Sequence, residues 1–166
     1  MVTITIEQGS IVNELVDAII IPSNTTLSMT SRVAKALREI GGNEIEDEAI
    51  SYAPIPIGEA ILTGAGDLRC SFIIHAPIME FAGHITDFYK VKSALEAAFA
   101  LAEKNGLSTL ALPGFGCNLG GIPVKESARA FFEVVNEMKW KSVQEIVVKD
   151  VEKKVVVAYK NMHKKA

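Results

Sequence analysis

The 166-residue sequence holds two cysteines, Cys70 and Cys117, one tryptophan and three histidines. Two thiols are too few for a disulfide framework. No His, Cys, Asp or Glu group stands at metal-ligand spacing, so neither a metal nor another cofactor is expected. No window approaches the ~18 uninterrupted apolar residues of a membrane helix, so no membrane partner is expected. The opening MVTITIEQGS alternates and lacks the charged and apolar regions of a secretion signal. Neither charge dominates. Seventeen Lys+Arg against twenty Asp+Glu give a net charge of −3, which speaks against a general nucleic-acid binder. No internal repeat and no Pro/Ser-rich linker divides the chain. What remains is 49% hydrophobic, 22% charged and 7% aromatic, a globular profile that excludes disorder. A chain this long buries roughly two-thirds of its unfolded surface and needs no staple. The expectation is a soluble, cytoplasmic protein with one domain over 1–166.

Two kinds of segment alternate. Residues 2–7, 17–21, 59–63, 71–77, 108–112 and 144–148 are short and β-branched, and their continuous apolar runs predict six strands buried on both faces. Val33, Ala36, Leu37 and Ile40 have helical spacing, ended by Gly41-Gly42. Val91, Leu95, Ala98 and Ala102 mark a second helix, closed by Asn105-Gly106. Ala128, Phe131, Val135 and Met138 mark a third, after Pro123. Residues 44–52 suit a shorter helix. The tail from Asp150 carries Val151, Val155, Tyr159 and Met162 on one helical face, with strand as the competitor because of its VVV run. This alternation predicts an α/β fold of three layers, α/β/α, in which ligands sit beyond the carboxyl ends of the strands.

Two loops at such ends have unusual composition. Residues 21–32 (IPSNTTLSMTSR) are dense in hydroxyls and lead into a helix N-terminus, which suits an anion or, more simply, supplies an N-cap. Residues 112–123 (LPGFGCNLGGIP) hold four glycines and Asn118. Glycines let amides turn toward a ligand and form an anion nest; the alternative is a plain turn. No Gly-Lys-Ser/Thr follows, so this is not a P-loop, and the spacing is wrong for a dinucleotide fingerprint. His75, on the run FIIHAP, reads as a core histidine. Cys117 lacks a local base for a nucleophilic role. The cluster Glu44-Glu46-Asp47-Glu48 reads as a solvated helix face.

These loops and their strands resemble the macro domain family, which binds ADP-ribose. Gly9-Ser10-Ile11 stands at the family's Gly-Asp-Ile motif, and Ala18-Ile19-Ile20-Ile21-Pro22-Ser23-Asn24 at its Ala-Ile-Val-Asn-Ala-Ala-Asn stretch. Pro56-Ile57-Gly58-Glu59-Ala60 matches Pro-x-Gly-x-Ala, Ile74-His75-Ala76 matches a strand end, and Leu112-Pro113 through Gly121-Ile122-Pro123 match the later loop. The match runs along the whole chain in order. It implies a mixed, mostly parallel six-stranded sheet and a ligand cleft at the strand ends. The residues that correspond to the family's ligand contacts are Ser10, Ile11, Ser23, Asn24, Thr30, Ser31, Arg32, Val33, Gly114, Phe115, Gly116, Cys117, Asn118, Leu119 and Gly120.

The departures from the family pattern are specific. Ser10 replaces the acid that holds adenine, and Ile21 replaces the first asparagine. Met29-Thr30-Ser31-Arg32 replaces a glycine run, Gly120 an aromatic, and Lys149 the aromatic after the sixth strand. The hydrolytic branches place an aspartate where this chain has Ala34 or Gly120, so no catalytic residue is assigned. The resemblance implies binding of ADP-ribose or a related nucleotide-diphosphate metabolite, with ADP-ribosylated protein as a larger partner. The alternatives are a hydrolase or deacetylase of ADP-ribosyl esters or phosphorylated ADP-ribose, and a degenerate fold that has lost the ligand.

Overall fold

The computed structural model describes residues 1–165. The six β-branched runs form β1 (Thr3–Gln8), β2 (Ala18–Asn24), β3 (Ile61–Gly64), β4 (Phe72–Met79), β5 (Thr109–Leu112) and β6 (Glu145–Asp150). They make one mixed sheet in the order β1-β6-β5-β2-β4-β3. Its neighbouring pairs are parallel except β3 with β4. All seven residues of β2 are buried. Ala18 and Ile20 face one apolar core, while Ile19 and Ile21 face the other. A strand covered on both faces has no polar side, which is why the run reads as continuous rather than alternating.

Helices α1 (Arg32–Gly41) and α2 (Glu44–Ile50) cover one face through Ala34, Leu37 and Ile45. Helices α3 (Phe88–Lys104), α4 (Val124–Glu137) and α5 (Lys153–Lys165) cover the other. The tail is helical, with Val155, Val156 and Tyr159 buried against that core. Its β-branched run is accommodated because packing outweighs the weak intrinsic preference of valine. Helix α3 starts at Phe88, a turn before the apolar spacing, because Asp87 accepts a capping bond from the Lys90 amide at 2.9 Å. Strand β2 continues past Pro22 against β4, beyond the point where its pairing with β5 ends at Ile19. Proline lacks an N–H for a ladder, and pairing on one side alone tolerates it. Among the described residues, no helix is long and apolar enough to cross a membrane.

His75 is wholly buried on β4. Thr63 Oγ1 donates to the Gly64 carbonyl at 3.0 Å, so it accepts from His75 Nε2 at 2.9 Å. The ring proton then sits on Nε2, and Nδ1 has no partner. Burial holds the imidazole neutral and lowers its pKa to about 4. It is a core histidine, as the strand context suggested.

Candidate functional site

Parallel pairing brings the carboxyl ends of β1, β2, β5 and β6 to one edge of the sheet. The segments that leave them enclose a cleft of about 590 Å³.

From β1, residues Gly9 to Val12 form one wall. The Gly9 amide donates to the Asp150 carbonyl at 3.0 Å, tying this wall to the end of β6. Beside it, Lys149 donates to Glu14 at 2.6 Å. That hydrogen bond, with Glu14's charge, raises the lysine pKa and fixes a neutral ion pair at this wall.

From β2, residues Thr30 to Val33 line the cleft. Ser31 caps α1 by accepting from the Ala34 amide at 3.2 Å. The amides of Arg32 and Val33, in the first turn, meet no protein oxygen. Met29 is buried in the core beneath α1 rather than standing in the cleft. Its amide donates to Glu46 at 2.7 Å, and Glu46 also holds Arg38 at 3.1 Å. Glu48 accepts from the Gly64 amide at 2.9 Å. The acidic cluster of α2 is therefore not simply a solvated face. Two of its carboxylates fix neighbouring backbone: Glu46 takes the amide of the buried Met29 and Glu48 that of the exposed Gly64.

From β5, residues Pro113, Gly114 and Cys117 to Leu119 line the cleft. Among the described residues the amides of Cys117, Asn118 and Leu119 meet no protein oxygen, although those of Cys117 and Asn118 lie against the Cys117 sulfur. A run of such amides is an anion-binding concavity, and it shares the cleft with the positive end of the α1 dipole. Burial raises the Cys117 thiol pKa; a hydrogen bond to Ser127 opposes this, and the Asp150 charge adds to the rise. That shift disfavours the thiolate, the form a nucleophile needs.

From β6, residues Lys149 to Glu152, with Lys154, complete the enclosure. The buried Asp150 is its organising group. Its Oδ2 accepts from the Gly114 amide at 3.0 Å and from the Asn118 side chain at 2.7 Å, and its Oδ1 accepts from the Glu152 amide at 2.9 Å. Arg32 reaches across the mouth to Glu152 at 3.3 Å.

Of the residues expected at the site, Ser10, Ile11, Thr30, Ser31, Arg32, Val33, Gly114, Cys117, Asn118 and Leu119 are brought together on the cleft. Ser23, Asn24, Phe115, Gly116 and Gly120 lie outside its lining. Asn24 is buried, with its amide turned into its own loop. It donates to the Ser28 carbonyl at 3.2 Å and accepts from the Thr26 amide at 3.1 Å and the Thr26 hydroxyl at 2.6 Å. Ser23 is buried and donates to the Asn24 carbonyl at 3.4 Å. Phe115 is a core side chain. Gly116 packs against Val91, and Gly120 against Thr86, whose amide donates to the Gly120 carbonyl at 2.9 Å. Sequence reasoning missed Asp150, Glu152 and Lys154. The signal was the rule that pointed to the other loops, applied to the sixth strand: an acid closing a buried parallel strand lies at a ligand edge. Among the described residues no cluster of His, Cys, Asp and Glu is set to hold a metal.

The Macro domain family model matches residues 20–131. An uncharacterised Aquifex aeolicus protein is 36% identical over 159 residues, covering 96% of each chain. A macro domain-containing protein of Caldanaerobacter subterraneus is 31% identical over 146 residues, covering 84% of this chain and 83% of that one. Among solved structures, the Oceanobacillus iheyensis macrodomain with ADP superposes with a TM-score of 0.83 at 20% identity, covering 95% of this chain and 87% of that chain. The Trypanosoma brucei macrodomain in complex with ADP-ribose does so at 0.83 and 18% identity, covering 95% and 68%. At that identity the likeness is one of fold, and it agrees with the mixed sheet and its flanking helices.

Proposed function

The chain belongs to the macro domain family, and from that premise we propose that its cleft binds ADP-ribose or a related nucleotide-diphosphate metabolite. One observation carries the reading: the oxygen-free amides of Cys117 to Leu119 share one cleft with those of Arg32 and Val33 at the start of α1. Two adjacent phosphates need many donors and a positive potential, and these supply both. Of the cations on the lining, Arg32 and Lys149 are paired with Glu152 and Glu14, and Lys154 has no ion-pair partner among the described residues. The solved relatives named above hold ADP and ADP-ribose, which supports the same ligand class.

Binding rather than hydrolysis is the favoured reading. The family's hydrolytic positions are Ala34 and Gly120 here. Asp150 accepts three amide hydrogen bonds that hold the loops together, and Glu152 is paired with Arg32, so both carboxylates are committed to structural contacts. The protein acts as one domain over 1–166 in the cytoplasm, with ADP-ribosylated protein as its larger partner.

Calorimetric titration with ADP-ribose at modest salt, with AMP and ADP as controls, tests this. Micromolar binding that prefers ADP-ribose is expected. No heat and no thermal shift up to millimolar ligand would overturn it and leave a retained fold without its usual ligand.

A further inference from the structure

Adjoining the cleft, and sharing Lys154 with it, is a second groove of about 480 Å³ between the start of α4 and the outer face of α5. Its floor is apolar, made by Val124, Val157, Ala158 and Met162. Its rim is cationic, made by Lys125, Lys153, Lys154 and Lys165. Among the described residues none of these four lysines has an ion-pair partner. Helix α5 (KKVVVAYKNMHKK) contains no acid, in a chain whose net charge is −3. Positive charge is thus gathered on this face.

The placement of that charge works against the helix. Lys153 and Lys154 open α5, where the positive end of the dipole disfavours cations. The fold gains nothing from two lysines there, whereas an anionic partner does.

The groove's dimensions and chemistry select that partner. Lys153 to Lys165 spans twelve helical steps, about 18 Å, which matches five or six residues of extended chain. Among the described residues no aromatic side chain and no arginine lines the groove, so nucleobases find no stacking surface. Its lining, among the described residues, lacks the large aromatic anchors by which a surface helix enters a membrane. Lysine heads meet carboxylates, and the apolar floor takes intervening apolar side chains.

We propose that this groove docks an acidic polypeptide segment of about five or six residues with interleaved apolar side chains. Because Lys154 belongs to both sites, such a segment lies beside whatever occupies the cleft. The docking itself does not depend on the nucleotide reading.

The test is fluorescence anisotropy with a labelled octapeptide of alternating Glu and Leu, without nucleotide, at 50 and 300 mM salt. Saturable binding is expected that weakens several-fold at the higher salt. It should weaken about tenfold or more in the Lys125→Glu/Lys153→Glu double variant. Both positions are exposed in first helical turns where an acid is tolerated, so folding is kept and circular dichroism verifies it. A Lys-Leu peptide should not bind, and a Glu-Gly peptide should bind less well than Glu-Leu. No saturation up to millimolar Glu-Leu peptide, or an unchanged affinity in the double variant, overturns the proposal. So does tighter lysine-dependent binding of an eight-nucleotide oligo(dT) or of anionic phospholipid vesicles. The nucleotide titration above uses no peptide, so the two readings fail separately.

Discussion

Asp150 accepts a hydrogen bond from the side-chain amide of Asn118 at 2.7 Å, joining the end of β6 to the glycine loop after β5. The same carboxylate oxygen takes the Gly114 amide. One buried group therefore sets the position of the loop that lines the cleft.

Asp150→Ala removes that acceptor and leaves the Gly114 and Glu152 N–H groups and the Asn118 side-chain amide without partners. The loss is about 1–3 kcal/mol, or a fall in Tm of about 2–12 °C for a chain of this size. Binding of ADP-ribose should weaken about tenfold because the nest is no longer held. Thermal unfolding and calorimetry on the same samples check this. An unaltered Tm with unaltered affinity would show that the loop holds its shape without Asp150.

Glu152 neutralises Arg32 at the mouth, and both side chains are largely exposed. Such a pair adds at most about 1 kcal/mol to stability. Glu152→Gln should leave Tm within a degree or two of the parent and tighten binding of ADP-ribose several-fold, since one negative charge leaves and Arg32 is released. Arg32→Ala should weaken binding and flatten its salt dependence. Looser binding in Glu152→Gln would mean that Glu152 itself contacts the ligand.

Gly116 and Gly121 have the same φ of +81°, yet different surroundings. A Cβ on Gly116 would stand 2.6 Å from Val91 Cγ2 and 3.1 Å from Ile122 Cδ1, whereas one on Gly121 meets nothing within 4 Å. Gly121→Ala costs about 1–2 kcal/mol of backbone strain. Gly116→Ala adds the overpacking of a filled core, about 1–3 kcal/mol more. Urea unfolding of the two variants should show that order. Equal midpoints would mean that Val91 moves aside freely.

His75 makes stability depend on pH. Its folded pKa is about 4, below the ordinary 6.5. Between those values the unfolded chain takes up a proton that the folded chain refuses. Its contribution is therefore complete above pH 6.5 and falls as pH drops toward 4, by roughly 3 kcal/mol in all. His75→Gln, which keeps a donor for Thr63, should flatten urea midpoints across that window. A slope as steep as the parent's would place the titrating group elsewhere.

Much of the fold was legible because buried parallel strands and amphipathic helices have distinct periods. Residues 17–21 and 91–102 read directly for that reason. The cleft was half legible. Glycine density at 114–121 and hydroxyl density at 23–31 mark loops at strand ends, but composition does not say which way a side chain turns. Asn24 turns inward to Thr26 and Ser28 and Met29 enters the core, while Thr30 and Arg32 remain on the cleft. Asp150 went unread because its partners, Gly114 and Asn118, lie more than thirty residues away, beyond any local pattern. Glu46 was hidden for the same reason: a carboxylate on a charged helix looks solvated until its distant amide is known.

Strand β6 sits between β1 and β5, and Thr3 lies in register with Glu145. The cleft wall at Gly9 is thus fastened to Asp150, made some hundred and forty residues later on the ribosome. A chain in synthesis can form β2, β4 and α3 early but has no complete pocket until β6 arrives and slots between strands already made. Closing so long a loop is slow. The cleft is therefore complete only once the last strand is in place, so ligand binding reports on the finished sheet.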